Sequence, residues 1–341
     1  MRALTARLRP LSAFGSLIRG DTLFGQICWA IRHRFDEARL KALLEGYTKG
    51  NPFLVVSDAF PEGYLPRPAL PLNSKFYDLP ERDPTKRKEV KKKLWLPKEK
   101  FHESLRTWLE HCQSEKEIAQ GIEKREENGK EKKQKEKEPK PLWRAEPQAH
   151  NTINRLTGTT GEGIFTPRSQ RRLWPHPELR LELYLLFDSE RIGLEELKEA
   201  LRHVGPFGYG PGASIGLGKF EVEEIKESDL PSQEEANTYL TLAPCDLSGM
   251  DLDCAFYQTF VRFGRHGDLF SQAASHPFKK PLLLAETAAV LKPKDFSPRP
   301  FVGRGLSGLS PLEPNTVHQG YAPALPIRLE VKEAQEKVEA T

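Results

Sequence analysis

The chain has 341 residues, 38% of them hydrophobic and 29% charged, with a formal net charge of +4. That length allows two domains with sizeable cores, and the small charge excess does not by itself argue for nucleic acid. Cys28, Cys112, Cys245 and Cys254 are scattered without CxxC spacing, which excludes a disulfide framework and a zinc site and fits reduced thiols in a cytoplasmic protein. The N-terminus lacks the apolar core of a secretion signal, and no run nears the ~20 apolar residues that cross a bilayer, so no membrane partner is expected.

Residues 2–9 read as a strand, with Leu4, Ala6 and Leu8 facing one way and Thr5, Arg7 and Arg9 the other. Asp21 reads as the N-cap of an amphipathic helix over 22–35, marked by Phe24, Ile27, Cys28, Ile31 and Phe35. Residues 51–75 are rich in proline, and Pro61, Pro66, Pro68 and Pro71 predict an ordered, extended connection rather than a regular strand. Within it, Ser57-Asp58 reads as a turn. Residues 81–141 read as an insertion. Lys86-Arg-Lys and Lys91-Lys-Lys are basic, Leu105, Trp108, Leu109 and Cys112 suggest one short helix, and 114–140 is mostly Glu and Lys. Such a stretch is expected to be solvated, and no core is assigned to the insertion.

Leu179 to Phe187 alternate as a second strand, and Leu194, Leu197, Leu201 and Val204 mark a second helix that Gly205 should stop. A strand follows over 219–225. The order β-α, long middle, β-α-β is the outline of a ferredoxin-like unit, the shape of a common RNA-recognition module. From about 235, apolar segments at 239–247, 254–264, 282–291 and 321–331 read as strands. Gly303-Arg-Gly-Leu-Ser-Gly-Leu-Ser310 reads as a second, weaker glycine loop, and 332–341 as a charged tail.

Six glycines fall between 205 and 218, so this segment can turn sharply and bring backbone N–H groups close to a phosphate. The common nucleotide fingerprints fit poorly. A Walker loop needs glycine where Ala213 stands and Ser or Thr where Phe220 stands. Gly208-Tyr-Gly-Pro-Gly-Ala213 matches the loose dinucleotide pattern, but with a helix before it and a strand after it, the reverse of the required order. Small-nucleotide binding is therefore the weakest of three functional readings.

An RNA surface needs cations for phosphates and flat or polar groups for unstacked bases. The stretch His150-Asn-Thr-Ile-Asn-Arg155-Leu-Thr-Gly158 offers a ring, amides, a cation and hydroxyls. Phe165, Arg168, Arg171, Arg172 and Trp174 follow, and Arg7, Arg9, Ser16, Arg19 and Lys219 add further polar groups. A metal-free ribonuclease would need a histidine base such as His33, His150, His203 or His318, none in a recognisable arrangement. A metal nuclease would need clustered carboxylates; Asp21 and Asp58 are the nearest approach, and each has another expected role. His266-Gly-Asp268 is too short a motif to carry a site. No catalytic residue, metal site or cofactor is expected.

Four segments together resemble the RAMP superfamily of CRISPR RNA-binding proteins, and more narrowly the type III-A (Csm) effector subunit that caps the 5′ end of the crRNA. They are Gly20-Asp-Thr-Leu-Phe-Gly-Gln-Ile-Cys-Trp-Ala30, Ser57-Asp-Ala-Phe-Pro-Glu-Gly-Tyr-Leu-Pro-Arg-Pro68, Asn151-Thr-Ile-Asn-Arg-Leu-Thr-Gly158, and the paired glycine loops. The resemblance implies an α+β fold of two ferredoxin-like (RRM-like) domains, here 1–228 with the insertion and 235–331. It implies a non-catalytic subunit that grips the crRNA 5′ handle and links a large polymerase-type subunit to a backbone RAMP subunit. A thumb within 75–165 would meet target RNA near the guide 5′ end. The expected RNA contacts are Ser16, Arg19, His150, Asn151, Arg155, Thr157, Arg168, Gly208, Tyr209, Gly210, Gly212, Ser214, Gly216, Gly218, Lys219, Gly303 and Arg304. The alternative is a metal-independent crRNA-processing endoribonuclease of the same superfamily, using His150.

Overall fold

The computed structural model describes residues 1–78, 84–127, 140–267 and 277–331; the charged run 128–139 and the tail 332–341 lie outside the described residues. Strand β1 (Arg2–Pro10) leads through a loop to α1 (Gly20–Arg34) and α2 (Glu37–Leu44), and β2 (Leu54–Pro61) turns into β3 (Tyr64–Pro66). The insertion folds as α3 (Pro84–Lys92), β4 (Lys93–Pro97), α4 (Trp108–His111), β5 (Gln113–Ser114) and α5 (Glu115–Glu127). A long hairpin follows, β6 (Trp143–His150) with β7 (Arg168–Pro175), and then β8 (Leu181–Phe187), α6 (Leu194–Phe207) and β9 (Phe220–Glu227). The remainder is β10 (Thr238–Thr241), β11 (Leu252–Phe256), β12 (Thr259–Arg262), β13 (Leu282–Ala285), β14 (Val290–Pro293), β15 (Phe301–Leu306) and β16 (His318–Ile327). The architecture is mixed α and β with several antiparallel sheets.

The first sheet has the order β2-β8-β1-β9, with every neighbouring pair antiparallel. Leu4, Ala6 and Leu8 point from β1 into a core with Leu23, Phe24, Ile27 and Ile31 of α1 and Leu197, Leu201 and Val204 of α6. Here the alternation in the strand and the helical spacing in the sequence both translate directly into burial. Asp21 is not a cap. The helix starts two residues earlier than expected, at Gly20, with Arg19 in the cap position, and the Asp21 side chain turns into the protein. Gly205 does not stop α6 either. The helix continues through Pro206, and the missing Gly205 side chain lets β9 pack against it: a Cβ there would lie 2.2 Å from the Phe220 carbonyl oxygen.

The proline-rich stretch is more regular than expected. Strand β2 runs until Pro61 and β3 until Pro66, so these prolines end strands rather than prevent them. Ser57-Asp58 is a bulge within β2, where the register against β8 shifts between Val56 and Ala59.

The second sheet, β11-β14-β10-β16-β15, is antiparallel wherever a register is given, and β12 pairs with β13 as a separate ribbon. After α6 no α-helix is present among the described residues. Among the described residues, the last third therefore shows neither of the two helices that an RRM-like unit would carry. The expected second glycine loop is also mostly strand. Gly303 and Gly305 sit in β15, and a Cβ on Gly303 would fall 2.2 Å from the Gly320 carbonyl oxygen of β16.

The insertion has a core, contrary to the sequence expectation. Leu96, Phe101, Leu105, Trp108, Leu109 and Cys112 are buried together with Phe60 and Tyr184 of the first sheet and Leu240, Val290 and Ile327 of the second. Its apolar residues are too sparse to make a core alone, but they fill the angle between two sheets that already exist. In α5, Ile118 and Ala119 join the first core. Replacing Trp108, which is fully buried, by alanine should destabilise the protein by about 3–5 kcal/mol. Chemical denaturation followed by circular dichroism checks this; an unchanged midpoint would mean that the insertion does not pack as described.

Candidate nucleic-acid interface

Three segments meet beside the first sheet: the loop 11–19 between β1 and α1, the glycine loop 208–219, and the base of the β6–β7 hairpin. The 11–19 loop is the clamp. On one side, the Leu11 N–H donates to the Lys219 carbonyl (2.8 Å), the Gly218 N–H to the Ala13 carbonyl (2.7 Å), and the Lys219 N–H to the Ser12 hydroxyl (2.9 Å). On the other, Phe14 and Leu173 exchange backbone hydrogen bonds of 2.8 and 2.9 Å, and the Phe14 ring meets Trp143 edge-on at 5.8 Å.

The glycines divide into two kinds. Gly218, at φ +72°, closes the loop on itself: a Cβ would lie 2.1 Å from the Tyr209 carbonyl oxygen. Gly216, at φ +90°, has no atom within 4 Å of the Cβ position, so the backbone there lies open to an incoming group. Ser214, Ile215 and Lys219 are exposed around it. Gly212 borders Gln170 of β7, and Gly210 borders the Ser16 hydroxyl, so the loop joins the hairpin base and the 11–19 loop in one surface. Gln170 and Ser12 were not singled out from the sequence. Nothing in their local pattern distinguishes them, because only the tertiary pairing brings them to the glycines.

The hairpin pairs without a break from Trp143↔Pro175 to His150↔Arg168, and its long tip spans 151–167. Asn154 organises the tip: its N–H and carbonyl bond Thr159 (3.0 Å) and Gly158 (2.8 Å), and its side chain accepts from the Leu156 N–H (2.9 Å). Asn151, Arg155, Leu156, Thr157, Ile164 and Arg168 are exposed, Leu156 almost wholly at 97%. His150 is half-buried, and its Nε2 is buried without a hydrogen-bond partner.

Several expected contacts face elsewhere. Tyr209 is buried, with its hydroxyl accepting from the Arg19 N–H at 2.8 Å, so it is a core ring rather than a stacking platform. Arg304 pairs with Asp246 (2.6 Å), and Gly303 is filled by the neighbouring strand. Arg7 pairs with Glu62 and Glu223, and Arg9 with Glu221 and Glu223, which neutralises their face of the sheet.

Arg19 is spent on a different task. Its guanidinium donates to Asp58 Oδ2 (2.8 Å) and to Glu286 Oε1 (2.8 Å) and lies over the Phe260 ring. Asp58, buried in the β2 bulge, also accepts from the Gly20 N–H (2.8 Å) and the Thr287 hydroxyl (2.6 Å). Burial pushes the Asp58 carboxyl upward, against the pull of Arg19 and these donors. Next to it, Asp21 receives two hydrogen bonds from Arg262, of 2.6 and 2.5 Å, and Arg262 shares the Phe260 ring with Arg19. His318 completes the cluster 3.5 Å from Asp21. Burial lowers its pKa to about 4, helped by Lys279 and Arg262 and opposed by Asp21. Cys28, Cys112 and Cys245 are buried, and burial raises each thiol to about 12, so they are inert at neutral pH. Among the described residues no group of acidic, His and Cys side chains is arranged to hold a metal, and no helix is long and apolar enough to cross a membrane.

No protein-family model matches the chain, and no curated protein matches it in sequence. Solved structures do match. A chain in the crystal structure of a Csm1-Csm4 cassette in complex with pppApA superposes with a TM-score of 0.57 at 15% identity, covering 96% of this chain and 99% of that one. A chain in the Csm3-Csm4 subcomplex of the type III-A CRISPR-Cas interference complex superposes with a TM-score of 0.54 at 15% identity, covering 96% and 100%. The shared feature is the fold, over nearly the whole of both chains. It is the fold of the Csm4 chain in those complexes.

The acid behaviour of the buried cluster follows from His318. The unfolded side chain takes up a proton near pH 6.5, while the folded one does so only near 4, so stability present above pH 6.5 is lost as the pH falls through that interval. The loss should reach about 3 kcal/mol. Urea denaturation as a function of pH checks this, and His318→Gln should flatten the acid limb over the same interval.

Proposed function

We propose that this chain is the RNA-binding, non-catalytic subunit of a type III-A CRISPR effector that holds the 5′ handle of the crRNA. It would link a large polymerase-type subunit to the RAMP backbone. The observation that carries this reading is the extent of the fold match. A single ferredoxin-like module would be weak support, but the match covers 96% of this chain and 99–100% of the matched chains. The complexes containing the matched chains also hold Csm1 or Csm3, partners of the kinds the reading requires.

The local geometry supports the same reading. The open backbone at Gly216, flanked by Ser214 and Lys219, suits a phosphate. His150, Asn151, Arg155, Thr157 and Arg168 on the hairpin suit the sugar, base edges and phosphates of a strand leaving that loop. The exposed apolar tip, with Ile153, Leu156 and Ile164, has the character of a wedge against a guide–target duplex, the role of a thumb. Asp21 and Asp58, the carboxylates best placed for chemistry near the loop, are both held in ion pairs. In this reading residues 1–228 form a ferredoxin-like unit, since two helices back a sheet in which β1 and β8 are central. Residues 235–331 form a strand-rich partner derived from the same plan.

Incubating the full chain with 5′-labelled, repeat-derived RNA in EDTA, on native and denaturing gels, tests the proposal. A shifted, intact band that is lost steeply with rising salt is expected. Replacing both Arg155 and Lys219 by alanine should weaken binding by roughly tenfold and leave stability within about 0.5 kcal/mol of wild type. A cut band that disappears with His150→Ala would transfer the assignment to a processing nuclease.

A further inference from the structure

The two-stranded ribbon of β12 and β13 is apolar on both faces. The fold uses the inner one. Phe260 lies under the guanidinium groups of Arg19 and Arg262, 5.4 and 4.7 Å from the ring centre, and Leu284, opposite it, is buried. Both ends of the ribbon are tied down. At one, the Glu286 N–H donates to the Gln258 carbonyl (2.8 Å). At the other, the Lys280 N–H donates to the Leu309 carbonyl (2.8 Å), and His266 Nε2 lies 2.6 Å from the Ser310 hydroxyl. Strand alternation turns Val261 and Phe263 the other way. Leu283 stands directly opposite Val261, and Phe278 opposite Arg265. Opposed residues of an antiparallel pair share a face, so Val261, Leu283, Phe263 and Phe278 form one outward row. All four are exposed, Phe263 at 72% and Leu283 at 67%. The solvated face of an antiparallel pair is normally polar, and none of these four side chains belongs to a core cluster.

The ribbon carries charge of one sign. Residues 259–267 and 277–285 include Arg262, Arg265, Lys279 and Lys280 and no carboxylate. Arg262 is taken by Asp21, while Arg265 and Lys280 are exposed and make no ion pair among the described residues. Such a face fits a protein surface that is apolar at its centre and bears Asp or Glu at its rim. It suits RNA less, because the Val261–Leu283 pair offers a base neither a ring face nor a hydrogen-bonding group. Location selects among protein partners. The 11–19 loop meets the hairpin base at Phe14 and the ribbon at Arg19. A backbone subunit that follows the guide lies with the hairpin, which leaves the ribbon to the subunit that does not follow it.

We propose that the outward face of the β12–β13 ribbon docks an apolar, acid-rimmed surface of the large polymerase-type subunit. Val261, Leu283, Phe263 and Phe278 form the apolar centre of the contact, and Arg265 and Lys280 form its charged rim. The inference rests on the function proposed above. Because the ribbon is tied at both ends before it meets a partner, docking orders little further backbone.

The test co-expresses the tagged full chain with the large and backbone subunits and a repeat-derived crRNA, and compares wild type with two double variants. Phe263→Ser with Leu283→Ser should weaken retention of the large subunit by roughly tenfold or more. The backbone subunit, the affinity for repeat-derived RNA and the melting temperature should stay at wild-type values. Arg265→Glu with Lys280→Glu should weaken retention by roughly fivefold and make it less sensitive to salt. If the serine variant melts early, the charge variant decides alone. Wild-type retention of the large subunit by a folded serine variant overturns the docking face and leaves the RNA reading intact. With retention unchanged, a loss of RNA affinity would assign the face to RNA, and the loss of a wild-type dimer would assign it to a second copy of this chain. A wild-type chain that binds neither RNA nor either subunit overturns the proposed function itself.

Discussion

The rest of the structure depends on one buried carboxylate. Asp58 sits in a bulge of β2 and receives the N–H that opens α1, the guanidinium of Arg19 and the hydroxyl of Thr287. A single side chain therefore fixes where the first helix starts, how the 11–19 loop leaves it, and where the last third of the chain docks. Glu286 and Phe260 extend the joint on the far side, and Arg262 repeats the arrangement with Asp21. Ion pairs this enclosed cost desolvation, so their contribution lies in geometry as much as in stability. Gln319 adds an uncharged version of the same joint. Its side-chain amide donates to the Val56 carbonyl at 2.8 Å and accepts from the Val56 N–H at 2.9 Å, tying β16 to β2 as another strand would.

The candidate RNA surface is a consequence of that joint. Because Arg19 is anchored inward, the 11–19 loop holds a single course between the glycine loop and the hairpin. Its backbone then clamps both. The glycine loop is consequently rigid where Gly218 closes it and open where Gly216 faces outward. The open face of the sheet, the usual platform of an RNA-recognition module, is covered by the insertion and neutralised by the Arg7 and Arg9 ion pairs. The RNA binding proposed above therefore falls on the loops at its edge and on the hairpin beyond.

Much of this was legible in the sequence where signals are local. Leu4, Ala6 and Leu8 predicted β1, Leu197, Leu201 and Val204 predicted α6, and the six glycines marked the loop. What the sequence hid is tertiary. Asp21 and Arg19 look like a cap and a surface cation, and both were drawn inward by partners more than 200 positions away, Arg262 and Glu286. Tyr209 looks like a stacking ring, and its hydroxyl instead found the Arg19 N–H. The insertion looked solvated because its apolar residues are sparse, yet Trp108 is buried between two sheets that are distant in sequence. Gly205 and Gly303 looked like stops or loops, and each is a place where one backbone passes close to another.

The central claim is that RNA lies on the glycine loop and the hairpin and not on the open face of the first sheet. Photo-crosslinking of a repeat-derived RNA to the full chain, with mass spectrometry of the adducts, tests this most directly. The account predicts adducts within 150–168 and 207–219 and none at Arg7, Arg9 or Glu223. Adducts concentrated on β1 and β9 would contradict it.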